Sequence, residues 1–222
     1  MVEVVRRQME RLHAEGRCPS LSARVAEALE QVPREGFVPP DAERWAYDDM
    51  PLAIGEGQTI SQPLIVGLMT ELASPGPEDV VLEVGTGSGY GAAVLSLLAG
   101  RVCTLEVLPD LAAAARARLA DLGCKNVLVR TADAWEGWRG GAPSPDGRFD
   151  AIVVTCAAPV LPRPLLAQLR PRGRMVLPLG EAHGRQVLSL VTWGADGQPV
   201  TKPILPVAFV PMVRPAPHGG ER

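Results

Sequence analysis

Residues 80–90 read VVLEVGTGSGY and predict a strand, a glycine-rich turn and the start of a helix. Residues 80–84 form a short apolar run, and the glycines begin directly after it. Glycine permits positive φ angles and lets a ligand approach the backbone without meeting a Cβ. In a doubly wound sheet such a turn lies at the carboxyl edge, where ligands bind. The stretch therefore predicts an α/β fold with a nucleotide site at this turn.

The following residues continue the alternation of strands and helices. Further strands are predicted at 102–107, 127–130, 149–154 and 174–179, with helices at 90–98, 111–122 and 164–169 between them. Continuous apolar strands separated by helices imply a parallel sheet covered on both faces. Two later segments, 186–193 and 204–213, have no helix between them and predict an antiparallel pair that closes the sheet edge.

The residues before 79 predict helices and one long irregular segment. Residues 1–35 read as two helices, and Pro63 fits the first turn of a helix that runs to about residue 72. Residues 33–62 lack clean periodicity, and a loop of that length inside a compact chain is usually functional.

Composition excludes several classes of protein. The 222 residues are 46% apolar and 21% charged, with a net charge of −3, which is typical of a globular protein. No basic stripe suggests a nucleic-acid surface, and no apolar stretch is long enough to cross a bilayer. No basic-then-apolar leader precedes the chain, so we expect a cytoplasmic protein. The four cysteines and three histidines are scattered, and neither a metal site nor a disulfide framework is expected.

Two acidic residues strengthen the nucleotide interpretation. Glu106 ends the second predicted strand, where a carboxylate can accept hydrogen bonds from ribose hydroxyls, and Asp133 follows the third strand, within reach of an adenine amine. Either acid alone is more simply a solvated strand end or a helix cap. Counted from Gly85, the glycines at 85, 87 and 89 have the spacing G-x-G-x-G, which does not match the dinucleotide-binding pattern. Counted from Gly87, the register Gly87-x-Gly89-x-x-Ala92 does satisfy that pattern. The glycine loop alone leaves the nucleotide open.

Beyond these features, the chain resembles the protein-L-isoaspartate O-methyltransferases over almost its whole length. The most specific stretches are YDDMPL at 47–52 and IGEGQTISQP at 54–63, with VPREGFV at 32–38, the glycine stretch, FDAIVV at 149–154 and LPLG at 177–180. The resemblance implies a Rossmann-like class I fold, with a mostly parallel seven-stranded sheet, antiparallel closing strands and an N-terminal helical extension. It implies methyl transfer from S-adenosyl-L-methionine to the α-carboxyl group of L-isoaspartyl residues, with S-adenosyl-L-homocysteine as product.

The resemblance also assigns residues and regions. Ser61 is expected to touch the reacting carboxylate. Cofactor contacts are expected from Gln58, Thr59, Ile60, Glu83, Gly85, Thr86, Gly87, Ser88, Gly89, Glu106, Asp133 and Ala134, and substrate contacts from Ile54, Val207, Phe209 and Val210. One domain over 1–222 is expected, with helices and active-site loop at 1–78, cofactor-binding core at 79–180 and closing strands at 181–214. Isoaspartyl peptides and proteins would be its partners, without nucleic acid or membrane, and it would act as a monomer.

Several alternatives stay open at this point. Thr59 or Ser61 could simply cap the Pro63 helix, since Thr59-x-x-Gln62 resembles a capping box. A small-molecule or RNA methyltransferase is disfavoured by TCAAP at 155–159, where base methylation often uses an Asn/Asp-Pro-Pro-aromatic signature. A relative acting on a specialised peptide or small-molecule carboxylate, a nicotinamide-dependent oxidoreductase and a non-catalytic nucleotide-binding module are the remaining candidates.

Overall fold

A computed structural model describes residues 1–182 and 184–214 of the chain. The N-terminal part contains helices α1 (Val2–Ala14) and α2 (Ala23–Gln31), the hairpin of β1 (Leu52–Gly55) and β2 (Gln58–Ile60), and helix α3 (Pro63–Ala73). The α/β part follows with β3 (Val80–Val84), α4 (Tyr90–Ser96), β4 (Arg101–Glu106), α5 (Pro109–Asp121), β5 (Val127–Thr131), β6 (Phe149–Val154), α6 (Arg163–Ala167), β7 (Leu169–Leu179), β8 (Gln186–Trp193) and β9 (Pro199–Val207).

The main sheet has seven strands in the order β5-β4-β3-β6-β7-β8-β9. The five strands β3 to β7 pair in parallel, and β8 pairs antiparallel with both β7 and β9. The predicted fold class, with its antiparallel closing strands and N-terminal helices, is therefore confirmed. The chain leaves β3 towards β4 and returns to the other side of β3 as β6. Such a reversal of strand order creates the crevice in which α/β proteins bind ligands.

Two apolar clusters cover the sheet. The larger includes residues of α1, α2 and α3 together with α4 and sheet residues such as Val81 and Val153. The second includes Trp138, Phe149 and Leu165, with sheet residues such as Ile152. Because side chains of successive strand residues point to opposite faces, Ile152 and Val153 fall in different clusters.

The division of the chain at residues 78 and 180 stays a prediction. No helix of the described ranges 1–182 and 184–214 is long and apolar enough to cross a membrane.

The predicted bounds of the last strand are wrong. We expected a strand at 204–213, but β9 begins at Pro199, directly after the tight turn in which Gly194 N donates to Gln198 O at 2.8 Å. Three prolines and exposed polar residues hide its apolar alternation. After Val207 the chain leaves β8, and Pro211 instead forms a parallel bridge with Ala157. The residues after 207 thus belong to a separate segment.

The irregular stretch 33–62 contains more structure than the sequence suggests. It includes 3-10 helices at Arg34–Phe37 and Pro40–Trp45 as well as the β1–β2 hairpin. These elements are only three to six residues long. A periodicity test over 11–18 residues therefore cannot detect them.

The start of α3 is capped from outside the helix, and the capping box that the sequence left open as an alternative does not form. The N-cap residue Gln62 makes no capping hydrogen bond with its side chain. Asp49 supplies the acceptors instead, because its Oδ1 accepts from Leu64 N at 2.8 Å and its Oδ2 accepts from Gln62 Nε2 at 3.3 Å. Thr59 belongs to β2, where it pairs with Ala53. The cap therefore fixes residues 49–50 next to the helix that follows Ser61.

Replacing Asp49 tests this external cap. In Asp49→Ala, the amide of Leu64 loses its acceptor, and we expect the free energy of unfolding to fall by about 1 kcal/mol. Asp48→Ala is the matched control, because Asp48 is exposed and makes no side-chain hydrogen bond among the described residues. Urea denaturation measures both. Equal stabilities of the two variants would contradict the capping role.

Candidate active site

A cleft lies at the carboxyl ends of β3, β4, β5 and β6, next to the point where the strand order reverses. Its volume is about 560 Å³ with the part open to solvent included. The lining combines β2, the glycine loop, the end of β4 and residues 210–213. Six of the residues expected to bind the cofactor line it, namely Gln58, Thr59, Gly85, Gly87, Glu106 and Ala134.

A smaller cavity adjoins the cleft at the glycine loop. Four more of the expected cofactor residues line it, namely Ile60, Glu83, Thr86 and Ser88, and Ser61 lies among them. Gly89, the N-cap residue of α4, and Asp133 line neither space. The structure thus brings ten of the twelve residues together around two connected spaces.

The glycine loop takes its shape from the neighbouring strand ends. Gly85 N and Thr86 N both donate to Leu105 O, at 2.8 and 3.1 Å. Thr155, directly after β6, donates its hydroxyl towards Val84 O and Gly85 O, at 2.9 and 2.8 Å. A Cβ on Gly85 would lie only 2.4 Å from Thr155 Oγ1, and the φ angle of Gly85 is +89°. Glycine suits this position, because another residue would be strained by the positive φ angle and would have to displace the Thr155 hydroxyl.

Glu106 is held at the edge of the same loop. Its Oε2 accepts from Gly87 N at 2.8 Å, and its Oε1 accepts from Val107 N at 2.9 Å and Leu108 N at 3.1 Å. The side chain is buried. A carboxylate offers about four acceptor positions, so a ligand hydroxyl can still bind beside these three amides.

Asp133 caps a short helix rather than facing the open cleft. Its Oδ1 accepts from Trp135 N at 2.8 Å, at the start of the 3-10 helix Ala134–Glu136. Its Oδ2 lies 3.6 Å from Nη1 of Arg214. Ala134 is buried and lines the cleft directly. The sequence allowed both a cap and an adenine contact for Asp133, and the cap is present in the structure.

Residues 210–214, here called the C-terminal strap, form one wall of the cleft. Val210 O accepts from Ala157 N and Met212 N donates to Ala157 O, both at 2.8 Å. The Trp135 indole donates to Met212 O at 3.1 Å. These bonds hold the strap beside the ends of β5 and β6, so that residues 210–213 all line the cleft.

Glu83 is a buried acid below the glycine loop. Its Oε2 accepts from the Thr104 hydroxyl at 2.6 Å, and the Thr104 oxygen lies 2.6 Å from the Thr86 oxygen. Burial raises the pKa of Glu83 to about 8, the hydrogen bond from Thr104 opposes the rise, and Glu106 adds to it. Glu83 is therefore mostly protonated at neutral pH in this structure.

A second, apolar groove meets the cleft. Its lining comprises Pro51, Thr59, Ser61, Gln62, Leu64, Ile65, Thr155, Leu205, Pro206, Val207, Ala208, Phe209 and Val210. Thr59, Thr155 and Val210 line both spaces. Of the residues expected to contact the substrate, Val207, Phe209 and Val210 lie in this groove together with Ser61. Ile54 lies apart from them, since a Cβ on Gly87 would be 3.3 Å from Ile54 Cδ1.

Sequence reasoning predicted a role for Val210 but missed Thr155 and residues 211–213 of the C-terminal strap. Thr155 follows the apolar strand β6, and a polar residue at a strand's carboxyl end was the signal that had singled out Glu106 and Asp133. The strap gave no usable signal, because its contacts with Ala157 and Trp135 join distant parts of the chain. Phe209 N donates to Gln186 Oε1 at 2.6 Å, another long-range bond that fixes residues 207–210.

These features define the class of the protein. A seven-stranded sheet with five parallel strands and an antiparallel closing hairpin, carrying a glycine loop and an acid at successive strand ends, is the fold of class I S-adenosylmethionine-dependent methyltransferases. The glycine register that starts at Gly85 is the relevant one, because β3 ends at Val84 and α4 begins at Tyr90.

Comparison with known proteins then identifies the family. The sequence profile of the protein-L-isoaspartate(D-aspartate) O-methyltransferases matches residues 6–216. Protein-L-isoaspartate O-methyltransferase 2 of Nitrosococcus oceani is 53% identical over 193 residues, 87% of this chain and 85% of that protein. The enzyme of the same name from Polaromonas sp. is 52% identical over 87% of this chain and 90% of its own length. The chain therefore belongs to this family of S-adenosylmethionine-dependent methyltransferases.

Solved structures show the same fold. One protein-L-isoaspartate O-methyltransferase superimposes with a TM-score of 0.76 at 27% identity and covers 95% of this chain and 65% of its own. The beta-aspartate methyltransferase from Plasmodium falciparum, in complex with S-adenosyl-L-homocysteine, gives a TM-score of 0.75 at 24% identity, covering 93% of this chain and 96% of its own.

Substitution of Gly85 tests the crowding at the loop. In Gly85→Ala, the new Cβ would collide with Thr155 Oγ1, and we expect a loss of about 1–3 kcal/mol in the free energy of unfolding. Affinity for S-adenosyl-L-homocysteine, measured by calorimetry, should fall more than about tenfold, which corresponds to about 1.4 kcal/mol. In the control Gly36→Ala, the Cβ meets no atom within 4 Å. If Gly85→Ala bound S-adenosyl-L-homocysteine as tightly as the wild type, the expected collision between the new Cβ and Thr155 would be refuted.

The pKa of Glu83 predicts a dependence of stability on pH. Its pKa rises from 4.5 to about 8 on folding, so between these values the native state binds more protons than the unfolded state. The free energy of unfolding should therefore fall as the pH rises through this window, by at most about 1.4 kcal/mol per pH unit. Below pH 4.5 both states are protonated and the effect vanishes.

The measurement is urea denaturation from pH 5 to pH 8. Glu83→Gln should lose this slope, so its stability relative to the wild type should rise with pH. Glu78→Gln, at an exposed position, should run parallel to the wild type. If Glu83→Gln also runs parallel, the carboxyl of Glu83 is not the titrating group.

Proposed function

We propose that this protein methylates the α-carboxylate of L-isoaspartyl residues in damaged proteins, with the cofactor in the cleft and the peptide in the apolar groove. The observation that carries the proposal is the junction of the two spaces at Thr59, Thr155 and Val210, with Ser61 on the groove side. The family to which the chain belongs supplies the reaction. A methyl donor in the cleft and a carboxylate in the groove would approach each other at this junction.

The lining of the cleft fits S-adenosyl-L-methionine. Leu105, Leu108 and Met212 offer apolar surface for an adenine ring, and Glu106 offers acceptors for ribose hydroxyls. The backbone of Gly85 and Gly87 leaves room for the chain that bears the sulfur. The bound cofactor supplies a sulfonium methyl group that is already activated by positive charge.

The reacting group needs little chemical help from the protein. An isoaspartyl α-carboxylate is ionised near neutral pH, so no general base has to remove a proton. An oxygen–carbon bond forms to the carboxylate and the carbon–sulfur bond breaks, which leaves S-adenosyl-L-homocysteine and a methyl ester. The residues of this chain then have to align the carboxylate and exclude water. No triad of nucleophile and base is required.

Ser61 is the residue proposed to orient the carboxylate. It is half-buried, lines the groove and directly follows β2. Its hydroxyl makes no hydrogen bond to other described residues, and it is therefore free to donate to a ligand. The apolar side chains of Val207, Phe209 and Val210 are proposed to line the path of the peptide, and Gln58, Thr59 and Ile60 to close over the cofactor.

Three broader statements are proposals as well. We propose a monomer as the active form, because every residue assigned to the cofactor and the peptide belongs to one chain. The four cysteines are free, which supports a reducing, cytoplasmic environment. The net charge of −3 supports protein substrates rather than nucleic acid.

The decisive assay uses two peptides that differ only in Asp versus isoAsp. Base-labile label from labelled S-adenosylmethionine should appear on the isoaspartyl peptide alone. Label on neither peptide, with S-adenosyl-L-homocysteine still bound by calorimetry, would overturn the repair function and favour a specialised peptide or small-molecule carboxylate as substrate.

Ser61→Ala tests the role of the hydroxyl. A hydrogen bond to a charged group contributes about 1.5–3 kcal/mol, so kcat should fall about 10- to 100-fold. Binding of S-adenosyl-L-homocysteine should change less than about threefold, because the lost hydroxyl is proposed to bind the peptide carboxylate and not the cofactor. Ser20→Ala, an exposed serine before α2, is the matched control. An unchanged kcat would remove Ser61 from the mechanism.

A further inference from the structure

Arg34 is a fully buried arginine outside both the cleft and the groove. It begins the 3-10 helix Arg34–Phe37 and has no exposed surface. Its Nε donates to Ala46 O at 2.8 Å, and its guanidinium carbon lies 4.9 Å from the centre of the Tyr90 ring. Its two terminal nitrogens and the Tyr90 hydroxyl are buried without a hydrogen-bond partner among the described residues.

Such a position is costly for a charged group. A buried cation loses its hydration, and weak compensation leaves a penalty. Burial lowers the pKa of Arg34, while the side chains of Tyr90 and Asp49 oppose that shift. Apolar packing alone would be served as well by methionine or leucine. The charge and the guanidinium shape therefore need a reason beyond filling the core.

The neighbours of Arg34 belong to both sides of the proposed reaction. Ala46 and Asp49 lie in the segment whose Asp49 caps α3 and binds Gln62, the residue after Ser61. Tyr90 directly follows the glycine loop and lines the cavity that also contains Ser61. Arg34 thus contacts both the segment whose Asp49 caps the helix after Ser61 and the tyrosine that follows the glycine loop.

Phe37 reinforces the contact with the loop. Its ring meets the Tyr90 ring edge-to-face, with centroids 5.5 Å apart. Tyr90 therefore contacts both Phe37 and the guanidinium of Arg34. Both partners come from one short 3-10 helix, so a shift of that helix moves Tyr90 and residues 46–50 together.

We propose that Arg34 is a positioning residue for methyl transfer. Through Ala46, Asp49 and Tyr90, it sets the distance between Ser61 and the glycine loop. The proposal rests on the proposed function, because it assigns to Ser61 the orientation of the carboxylate. Arg34 itself touches neither reactant. A displacement of about 1 Å between reacting groups can lower a rate about 100-fold.

Arg34→Met and Arg34→Lys provide the test. Methionine keeps the packing of the stem without charge, and lysine keeps the charge but loses the planar fork. Arg34→Met should lower kcat on the isoaspartyl peptide about 10- to 100-fold per active site, and Arg34→Lys should recover part of the loss. Binding of S-adenosyl-L-homocysteine should stay within about threefold. Its calorimetric stoichiometry counts the active sites.

Stability separates positioning from a structural role. Replacing a buried charge with an apolar side chain is often neutral or stabilising, so the Tm of Arg34→Met should be unchanged or higher while kcat falls. A wild-type kcat per active site in Arg34→Met would overturn the proposal, whatever the Tm. If Arg34→Met does not fold, a wild-type kcat in Arg34→Lys would overturn it equally. Arg24→Met removes an exposed arginine that donates to Pro75 O and Leu98 O, and should leave kcat unchanged.

Hydrogen exchange gives a readout that does not depend on activity. The Leu64 amide donates to Asp49, so a misplaced Asp49 should raise its exchange rate by about tenfold, whereas the amide of Val81 in the sheet should be unaffected. If the wild type methylates no isoaspartyl peptide but Leu64 exchange still rises in Arg34→Met and Arg34→Lys, the proposed function fails and the positioning stands. Unchanged Leu64 exchange in both variants would refute the positioning.

Discussion

The close approach of Thr155 to Gly85 is the contact on which the rest of the site depends. The Thr155 hydroxyl points at the carbonyls of Val84 and Gly85, at 2.9 and 2.8 Å, and leaves no room for a Cβ. It joins β6 to β3 at the point where the strand order reverses. Thr155 also lines both the cleft and the groove. The contact that joins the carboxyl ends of β3 and β6 therefore lies where the two spaces meet.

Charge is distributed unevenly around this contact. Glu106, fixed by three backbone amides, presents a carboxylate to the cleft, while burial keeps Glu83 mostly protonated below the loop. A second buried carboxylate so close to Glu106 would be repelled, and protonation avoids that cost. The arrangement leaves a single acidic position for a ligand with ribose hydroxyls.

The parts of the fold visible in the sequence are those with local patterns. The parallel strands, their helices and the glycine loop follow from short apolar runs and from the residues that end them. The cap of α3 is not visible in the sequence, because Thr59-x-x-Gln62 fits a capping box while the actual acceptor, Asp49, lies 13 residues before Gln62. The C-terminal strap was mistaken for part of a strand, since its partner Ala157 is distant in sequence. Long-range backbone pairing leaves no periodicity to detect.

The N-terminal extension then has a physical function in this fold. A reaction that needs neither base nor nucleophile from the protein depends on the mutual placement of two bound reactants. The sheet alone provides the proposed binding site for only one of these reactants, the cofactor. The groove side must come from elements added to the sheet. Here these are the β1–β2 hairpin and α3, to which the Asp49 cap belongs, and residues 208–210, which the bond from Phe209 to Gln186 holds against the core. In the proposed mechanism, aligning oxygen, carbon and sulfur is the chemical contribution that remains for the protein, so the placement of these elements would matter in the way that a catalytic triad matters elsewhere.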